Sequence, residues 1–185
     1  ELKLATSDAK KDAAVTKLYD GREIRFCCGG CVGRFEADMK AAMKKVDEQI
    51  IENQEPLWPM PNCPLMPEEM LVQDGEDIAF NYVWNNRLFR VCCKMCAKEL
   101  RDGDATEYVE ALDKAVIKAQ KDDYPIDTCV VGGGKLGDVA VDVVVGNRLI
   151  RLCCGGCEDA VMKGAPKYVA QVDEAWAKAK SKKSE

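Results

Sequence analysis

The stretch Ile150-Arg151-Leu152-Cys153-Cys154-Gly155-Gly156-Cys157 has two close counterparts earlier in the chain. They are Ile24-Arg25-Phe26-Cys27-Cys28-Gly29-Gly30-Cys31 and Phe89-Arg90-Val91-Cys92-Cys93-Lys94-Met95-Cys96. Each has a short strand-forming run, then two adjacent cysteines, then a third cysteine three residues later. Nine of the eleven cysteines lie in these three stretches. Because cysteine is a scarce residue, the repeat indicates thiolate chemistry at three places along one chain.

The repeat predicts three tandem units, residues 1–55, 56–122 and 123–185. Units of roughly 60 residues bury only a thin hydrophobic core. Domains of that size usually need a metal ion or a disulfide to stay folded. The fold is therefore expected to depend on the cysteines.

Each unit is predicted to be a β-hairpin followed by a helix, which makes the fold class α+β. The hairpin turns are expected at Asp20-Gly21, Asn85-Asn86 and Gly146-Asn147, which are residue types that tolerate positive φ. Apolar residues at spacings of three and four from Val32 predict a single helix that ends before Asn53. The later two helices are expected to break near Gly103 and Gly164.

A lone cysteine precedes the hairpin in the last two units. Cys63 and Cys129 each lie five residues after the start of an aromatic-proline pair, at Trp58 and Tyr124. Ungapped counting places Lys3 at the corresponding position of the first unit. Either this ligand is lost in the first unit, or residues upstream of Glu1 supply it.

The candidate ligands are all sulfur, because the chain has no histidine. Three or four thiolates suit Zn²⁺ in a tetrahedral site, or Cu(I) bound by two or three sulfurs. The candidates are Cys27, Cys31, Cys63, Cys92, Cys96, Cys129, Cys153 and Cys157, with Cys28, Cys93 and Cys154 as less certain members. We expect Gly155 and Gly156 to place backbone N–H groups against sulfur.

Adjacent cysteines pose a geometric problem, because successive side chains of a strand point to opposite faces. Both members of a pair can bind one ion only if the strand ends between them. Cys28, Cys93 and Cys154 are therefore open to three interpretations: core residue, bridging ligand or disulfide partner.

The lone cysteine, the hairpin, the Cys-x-x-x-Cys spacing and the helix together resemble the TRASH/YHS group of heavy-metal-binding domains. The resemblance covers nearly all of the last two units and the later part of the first. It implies a small treble-clef-like zinc-finger fold, with Cys129, Cys153 and Cys157 as one ligand set and Cys63, Cys92 and Cys96 as another. It also implies roles such as metal sensing, trafficking or resistance. The chain departs from that group in its extra cysteine per unit and in the missing lead cysteine of unit one.

The composition narrows the function further. The net charge of −5 and the pI near 5.0 do not favour a nucleic-acid partner. No apolar run approaches the length of a membrane span. Without histidine there is no histidine general base and no Cys/His nucleophilic pair. The Cys-x-x-Cys pairs follow hairpins rather than the βαβ setting of thioredoxin-type enzymes, and the ferredoxin spacings are absent.

The sequence therefore predicts a non-catalytic, cysteine-rich metal-binding protein. Its ion would be a structural Zn²⁺, or Cu(I) or another heavy metal as cargo. The alternative is a structural or interaction subunit of a larger assembly, bound to a protein partner and stabilised by zinc or disulfides. The first residue is Glu1, not methionine; a removed leader would place the protein in the periplasm or outside the cell, and otherwise it would be cytoplasmic.

Overall fold

The computed structural model describes residues 15–183 and confirms the α+β fold class. The strands are β1 Val15–Tyr19, β2 Arg22–Phe26, β3 Val72–Gln73, β4 Glu76–Asp77, β5 Phe80–Trp84, β6 Arg87–Val91, β7 Val141–Val145 and β8 Arg148–Leu152. The helices are α1 Gly29–Ala37, α2 Met39–Gln54, α3 Lys94–Asp102, α4 Thr106–Gln120, α5 Glu158–Lys163 and α6 Ala165–Lys183. Within the described part, no helix combines the length and apolar character needed to cross a bilayer.

The strands pair only as antiparallel hairpins, each a separate two-stranded sheet. The turns of β1–β2, β5–β6 and β7–β8 lie where the sequence predicts them, and both central residues of each have positive φ. This is the type I′ geometry, whose twist matches that of the flanking strands. A fourth, two-residue hairpin, β3–β4, turns at Asp74-Gly75 and was not predicted. It is too short to leave an alternating apolar pattern.

The prediction of one helix after the first hairpin is wrong in two respects. The helix is interrupted at Asp38, whose carboxylate accepts a hydrogen bond from the backbone N–H of Ala41 and caps the start of α2. Helix α2 also continues through Asn53 to Gln54. The predicted breaks near Gly103 and Gly164 are confirmed, since α3 ends at Asp102 and α5 ends at Lys163.

Three groups of buried side chains form the interior. The first, around Phe35, lies between β1–β2 and the helices that follow. The second and largest includes Phe89, Leu100 and Leu112. It also contains Leu149 of β8, so it extends past residue 122 into the third hairpin. The third lies around Ile150 and Val172.

Each of the first two long helices ends on a buried glutamine that binds the next hairpin. Gln54 donates from Nε2 to the carbonyl of Asn86 at 3.1 Å and accepts from the N–H of Leu88 at 2.8 Å. Gln120 repeats this arrangement with the carbonyl of Asn147 at 2.8 Å and the N–H of Leu149 at 3.0 Å. The side-chain amide thereby pairs backbone groups that would otherwise be buried without partners.

An arginine and an asparagine complete each of these junctions. Arg22 donates from Nε to Oδ1 of Asn86 at 3.0 Å, and Arg87 donates likewise to Asn147 at 2.7 Å. Each arginine, on β2 or β6, also pairs at 2.6 Å with an aspartate of the long helix that follows its hairpin, Asp47 of α2 or Asp113 of α4. The same set of glutamine, arginine, asparagine and aspartate contacts therefore joins each long helix to the next hairpin.

The first hairpin lacks a preceding helix among the described residues. Substitutions on it should therefore lower the free energy of unfolding less than substitutions at equivalent positions of the second hairpin. Leu18 and Val83 are at equivalent register positions, but Leu18 is 72% exposed while Val83 is 9% exposed. We expect Val83→Ser to lower the free energy of unfolding by about 2 kcal/mol, because it removes buried apolar surface and adds a hydroxyl. Leu18→Ser should change it by less than about 0.5 kcal/mol. Urea denaturation followed by circular dichroism measures both, and equal costs would contradict the difference in packing.

Candidate metal centres

Three groups of three cysteines bring their sulfur atoms within 4.8 Å of one another. The groups are Cys27, Cys28 and Cys31; Cys63, Cys92 and Cys96; and Cys129, Cys153 and Cys157. We call them the first, second and third clusters. All eleven cysteines are free thiols. Each cluster has the donor set and the spacing to hold one metal ion.

In all three clusters, the first and third cysteines of the repeated stretch lie at the junction between a hairpin and the helix that follows it. The second cysteine of each pair is fully extended, with φ between −164° and −159°, and the chain then enters the helical region. This change of direction brings the first and third cysteines together. Their Sγ atoms are 3.3 Å apart for Cys27 and Cys31, 3.6 Å for Cys92 and Cys96, and 4.0 Å for Cys153 and Cys157. Two sulfurs on a tetrahedral zinc with 2.3 Å bonds are about 3.8 Å apart.

The less certain cysteines are placed differently in the three clusters. Cys28 belongs to the first cluster, with its Sγ 3.8 Å from that of Cys31. Cys93 lies outside the mutually close group of the second cluster, yet its Sγ is 3.8 Å from that of Cys96. The Sγ atoms of Cys154 and Cys153 are 4.0 Å apart. Cys93 and Cys154 are thus fourth sulfurs at the edge of their clusters.

Cys63 reaches the second cluster from an irregular loop. Its backbone N–H donates to the carbonyl of Glu69 at 2.9 Å, and its own carbonyl accepts from Met66 at 3.2 Å. The residue is fully buried, and Trp58, Met60 and Leu65 pack around the same core. The loop therefore folds around the cysteine and closes one side of the cluster.

The Gly132-Gly133-Gly134 loop covers the third cluster. The N–H of Gly132 donates to Sγ of Cys129 at 3.4 Å, and the carbonyl of Gly134 accepts from the N–H of Cys129 at 2.7 Å. A side chain added at Gly134 would begin 3.5 Å from Sγ of Cys153. The backbone of this glycine loop therefore lies close to the sulfurs. We had expected the backbone of Gly155 and Gly156 to do so. No sequence signal distinguished this loop from a flexible one.

Backbone N–H groups decide which thiols ionise most readily. Burial raises the pKa of Cys129, but N–H groups of Gly132, Cys153 and Val131 outweigh it and the pKa falls to about 7. Hydrogen bonds from the N–H groups of Cys31 and Gly30 likewise lower the pKa of Cys28, that of Cys31 being the larger cause. With a pKa of about 7, the Cys129 thiol is partly ionised at neutral pH before an ion arrives.

Four other thiols of these clusters are harder to ionise. Burial raises the pKa of Cys157 to about 12 and that of Cys92 to about 11. Burial also raises the pKa of Cys96. The pKa of Cys31 rises to about 11 because its thiol is hydrogen-bonded to Cys27 and Cys28. An incoming ion must displace these protons, so binding is coupled to proton release.

The first cluster differs from the other two in its third member. Among residues 15–183 the buried lead cysteines Cys63 and Cys129 have no counterpart there, and the third sulfur is that of the exposed Cys28. Lys3, at the predicted lead position, lies outside the described residues. Within the described part of the chain, the first cluster is consequently the most open of the three.

No protein-family model matches the chain, and neither a curated protein nor a solved structure matches it.

Proposed function

We propose that this protein is a non-catalytic metal-binding protein, with Zn²⁺ as the structural ion of the second and third clusters. The observation that carries the proposal is the convergence of sulfur atoms that are far apart in sequence. Cys63 meets Cys92 and Cys96, and Cys129 meets Cys153 and Cys157. Buried thiols drawn from a loop and from a hairpin–helix junction are the usual components of a structural zinc site.

The loops that carry the lead cysteines support a structural role for the ion. Residues 58–79 contain only β3–β4 as regular structure, and residues 121–140 contain no strand or helix. Scattered backbone hydrogen bonds order these loops, without the continuous ladder of a helix or sheet to offset the loss of conformational entropy. A metal ion bonded to Cys63 or Cys129 would link each loop to its hairpin and offset that cost.

The resemblance to TRASH/YHS domains agrees with this proposal. Under it, each lead cysteine, hairpin and helix would act as one zinc-finger-like domain. Cys93 and Cys154 would each supply a fourth sulfur ligand to their clusters if their side chains turned towards the other three sulfurs. Tetrahedral coordination by four thiolates is a common structural zinc arrangement.

Metal analysis of the unmodified protein tests the proposal. We expect two to three equivalents of zinc per chain in protein purified without added metal or chelator. Cys63→Ser and Cys129→Ser should each remove about one equivalent, because a buried lead ligand is lost. Cys154→Ser serves as the matched control and should retain more zinc than Cys129→Ser. Protein with no metal and oxidised thiols would overturn the proposal.

A further inference from the structure

We propose that the first cluster is an accessible exchange site for Cu(I), whereas the second and third clusters retain their ions. The inference rests on the proposed metal-binding function and goes beyond it, because it assigns different roles to clusters that the sequence repeat makes look equivalent. It has three independent supports: exposure, the local backbone and the number of sulfurs.

Exposure separates the clusters. Cys63 is 0% exposed and Cys129 is 2% exposed, so an ion in either cluster would have one side closed by protein. In the first cluster Cys28 is exposed, and Cys27 and Cys31 are half-buried. An incoming ligand can therefore reach the sulfurs of the first cluster without any rearrangement of the fold.

The backbone around the first cluster leaves open space. A Cβ added at Gly29 would meet no atom within 4 Å, and one added at Gly30 would meet only Sγ of Cys28 at 3.9 Å. The equivalent Gly155 and Gly156 are nearly as open, so the difference between the clusters comes from the loop that carries the lead cysteine. At the third cluster, by contrast, Gly132 and Gly134 bring backbone against the sulfurs. No glycine loop of that kind covers the first cluster among the described residues.

The number of sulfurs favours a different ion. Among the described residues, three sulfurs converge at the first cluster, those of Cys27, Cys28 and Cys31. Their Sγ separations are 3.3, 3.8 and 4.0 Å. Three thiolates satisfy Cu(I), which binds two or three sulfurs, but leave one position of a tetrahedral zinc open.

Transfer at this site is a ligand exchange with no change in oxidation state. The copper stays Cu(I) throughout. A bond from copper to the carrier's donor atom breaks as a bond to Sγ of Cys28 forms, and the thiol proton of Cys28 passes to solvent. The reverse exchange delivers the ion to a thiolate-bearing acceptor, with the proton returning to Cys28. The partner class is therefore a small-molecule or protein thiolate that carries Cu(I).

Stopped-flow mixing of the zinc-loaded full chain with Cu(I)–bicinchoninate under anaerobic conditions tests the inference. Loss of the coloured complex reports copper uptake, and a zinc-sensitive dye reports zinc release. We expect one equivalent of Cu(I) to be taken up on the order of tenfold faster than later equivalents, because accessible sulfur exchanges faster. Excess bicinchoninate should recover that same equivalent first.

Two variants locate the fast step. Cys28→Ser should abolish fast uptake, and Met95→Ser, which removes an exposed sulfur beside the second cluster that is not one of its proposed ligands, should retain it. Both should keep the circular dichroism spectrum of the parent, since both side chains are exposed. Uptake of all copper at a single rate, or fast uptake that survives Cys28→Ser, would overturn this inference alone. A chain that holds no zinc before copper is added would overturn the proposed function and this inference with it.

Discussion

Stripping the metal with a strong chelator under reducing conditions is expected to unfold most of the chain from residue 58 onward. Structural zinc contributes about 10–16 kcal/mol per site in small zinc domains. That is as large as the whole net stability of roughly 5–15 kcal/mol typical of a domain. Loss of two ions would leave the loops that hold Cys63 and Cys129 without their links to the hairpins.

Hydrogen exchange and circular dichroism measure this effect together. Amide protection should be lost in residues 58–79 and 121–140, and the helical signal should fall. The first hairpin and its helices should be less affected, because their core around Phe35 includes no buried lead cysteine. Chelator already saturated with zinc is the control, and added zinc should restore the signal. An unchanged spectrum in protein shown to be metal-free would mean that the ions are cargo rather than structural.

Asn147→Ala is expected to be among the most destabilising single substitutions outside the cysteines. Asn147 is 0% exposed, accepts from Nε of Arg87 at 2.7 Å and donates to the carbonyl of Leu88 at 3.0 Å. Burial already lowers the pKa of the Arg87 guanidinium, so this charge depends on its remaining partners. Removing a bond to a charged group and orphaning a buried carbonyl should cost about 3–5 kcal/mol.

The loss of stability in Asn147→Ala has two sources, backbone strain and lost hydrogen bonds, which further variants can separate. Asn147 has φ +59°, and the exposed Asn85, with φ +47°, provides a matched control. Asn85→Ala should lower the free energy of unfolding by about 1 kcal/mol, because the left-handed conformation is unfavourable for alanine. Asn147→Gly removes the side chain without that strain and should remain strongly destabilising. Urea denaturation at one fixed free zinc concentration compares all three. Equal costs for Asn147→Ala and Asn85→Ala would contradict a structural role for the junction.

Local patterns explain how much of the fold was predictable. Type I′ turns need residues that accept positive φ, so Asp20-Gly21, Asn85-Asn86 and Gly146-Asn147 identified the hairpins correctly. The helix breaks near Gly103 and Gly164 were visible because glycine is a poor helix former. The break at Asp38 was missed because an aspartate inside an apolar repeat also fits the solvent face of a continuous helix. Only the capping bond to Ala41 distinguishes the two cases.

The candidate sites were predictable in part. The spacing of Cys92 and Cys96, or of Cys153 and Cys157, already indicated that the two sulfurs meet at a strand-to-helix junction. The positions of Cys93 and Cys154 could not be derived, because they depend on the backbone angles where the strand ends. The closeness of the Gly132–Gly134 loop to sulfur was equally invisible, since glycine-rich sequence is compatible with many loop conformations.

The amino-acid sequence specified the local structure: three hairpins, the helices that follow them and three pairs of cysteines at the junctions. These features follow from interactions over a few residues, which leave periodic or turn-specific signals. The tertiary structure alone decided that Gln54 and Gln120 hold the following hairpins. It also decided that a buried lead cysteine closes one side of the second and third clusters but, among the described residues, not of the first. Such features arise from contacts between residues far apart in the chain. A buried glutamine and an exposed cysteine acquire their roles only from the atoms packed around them.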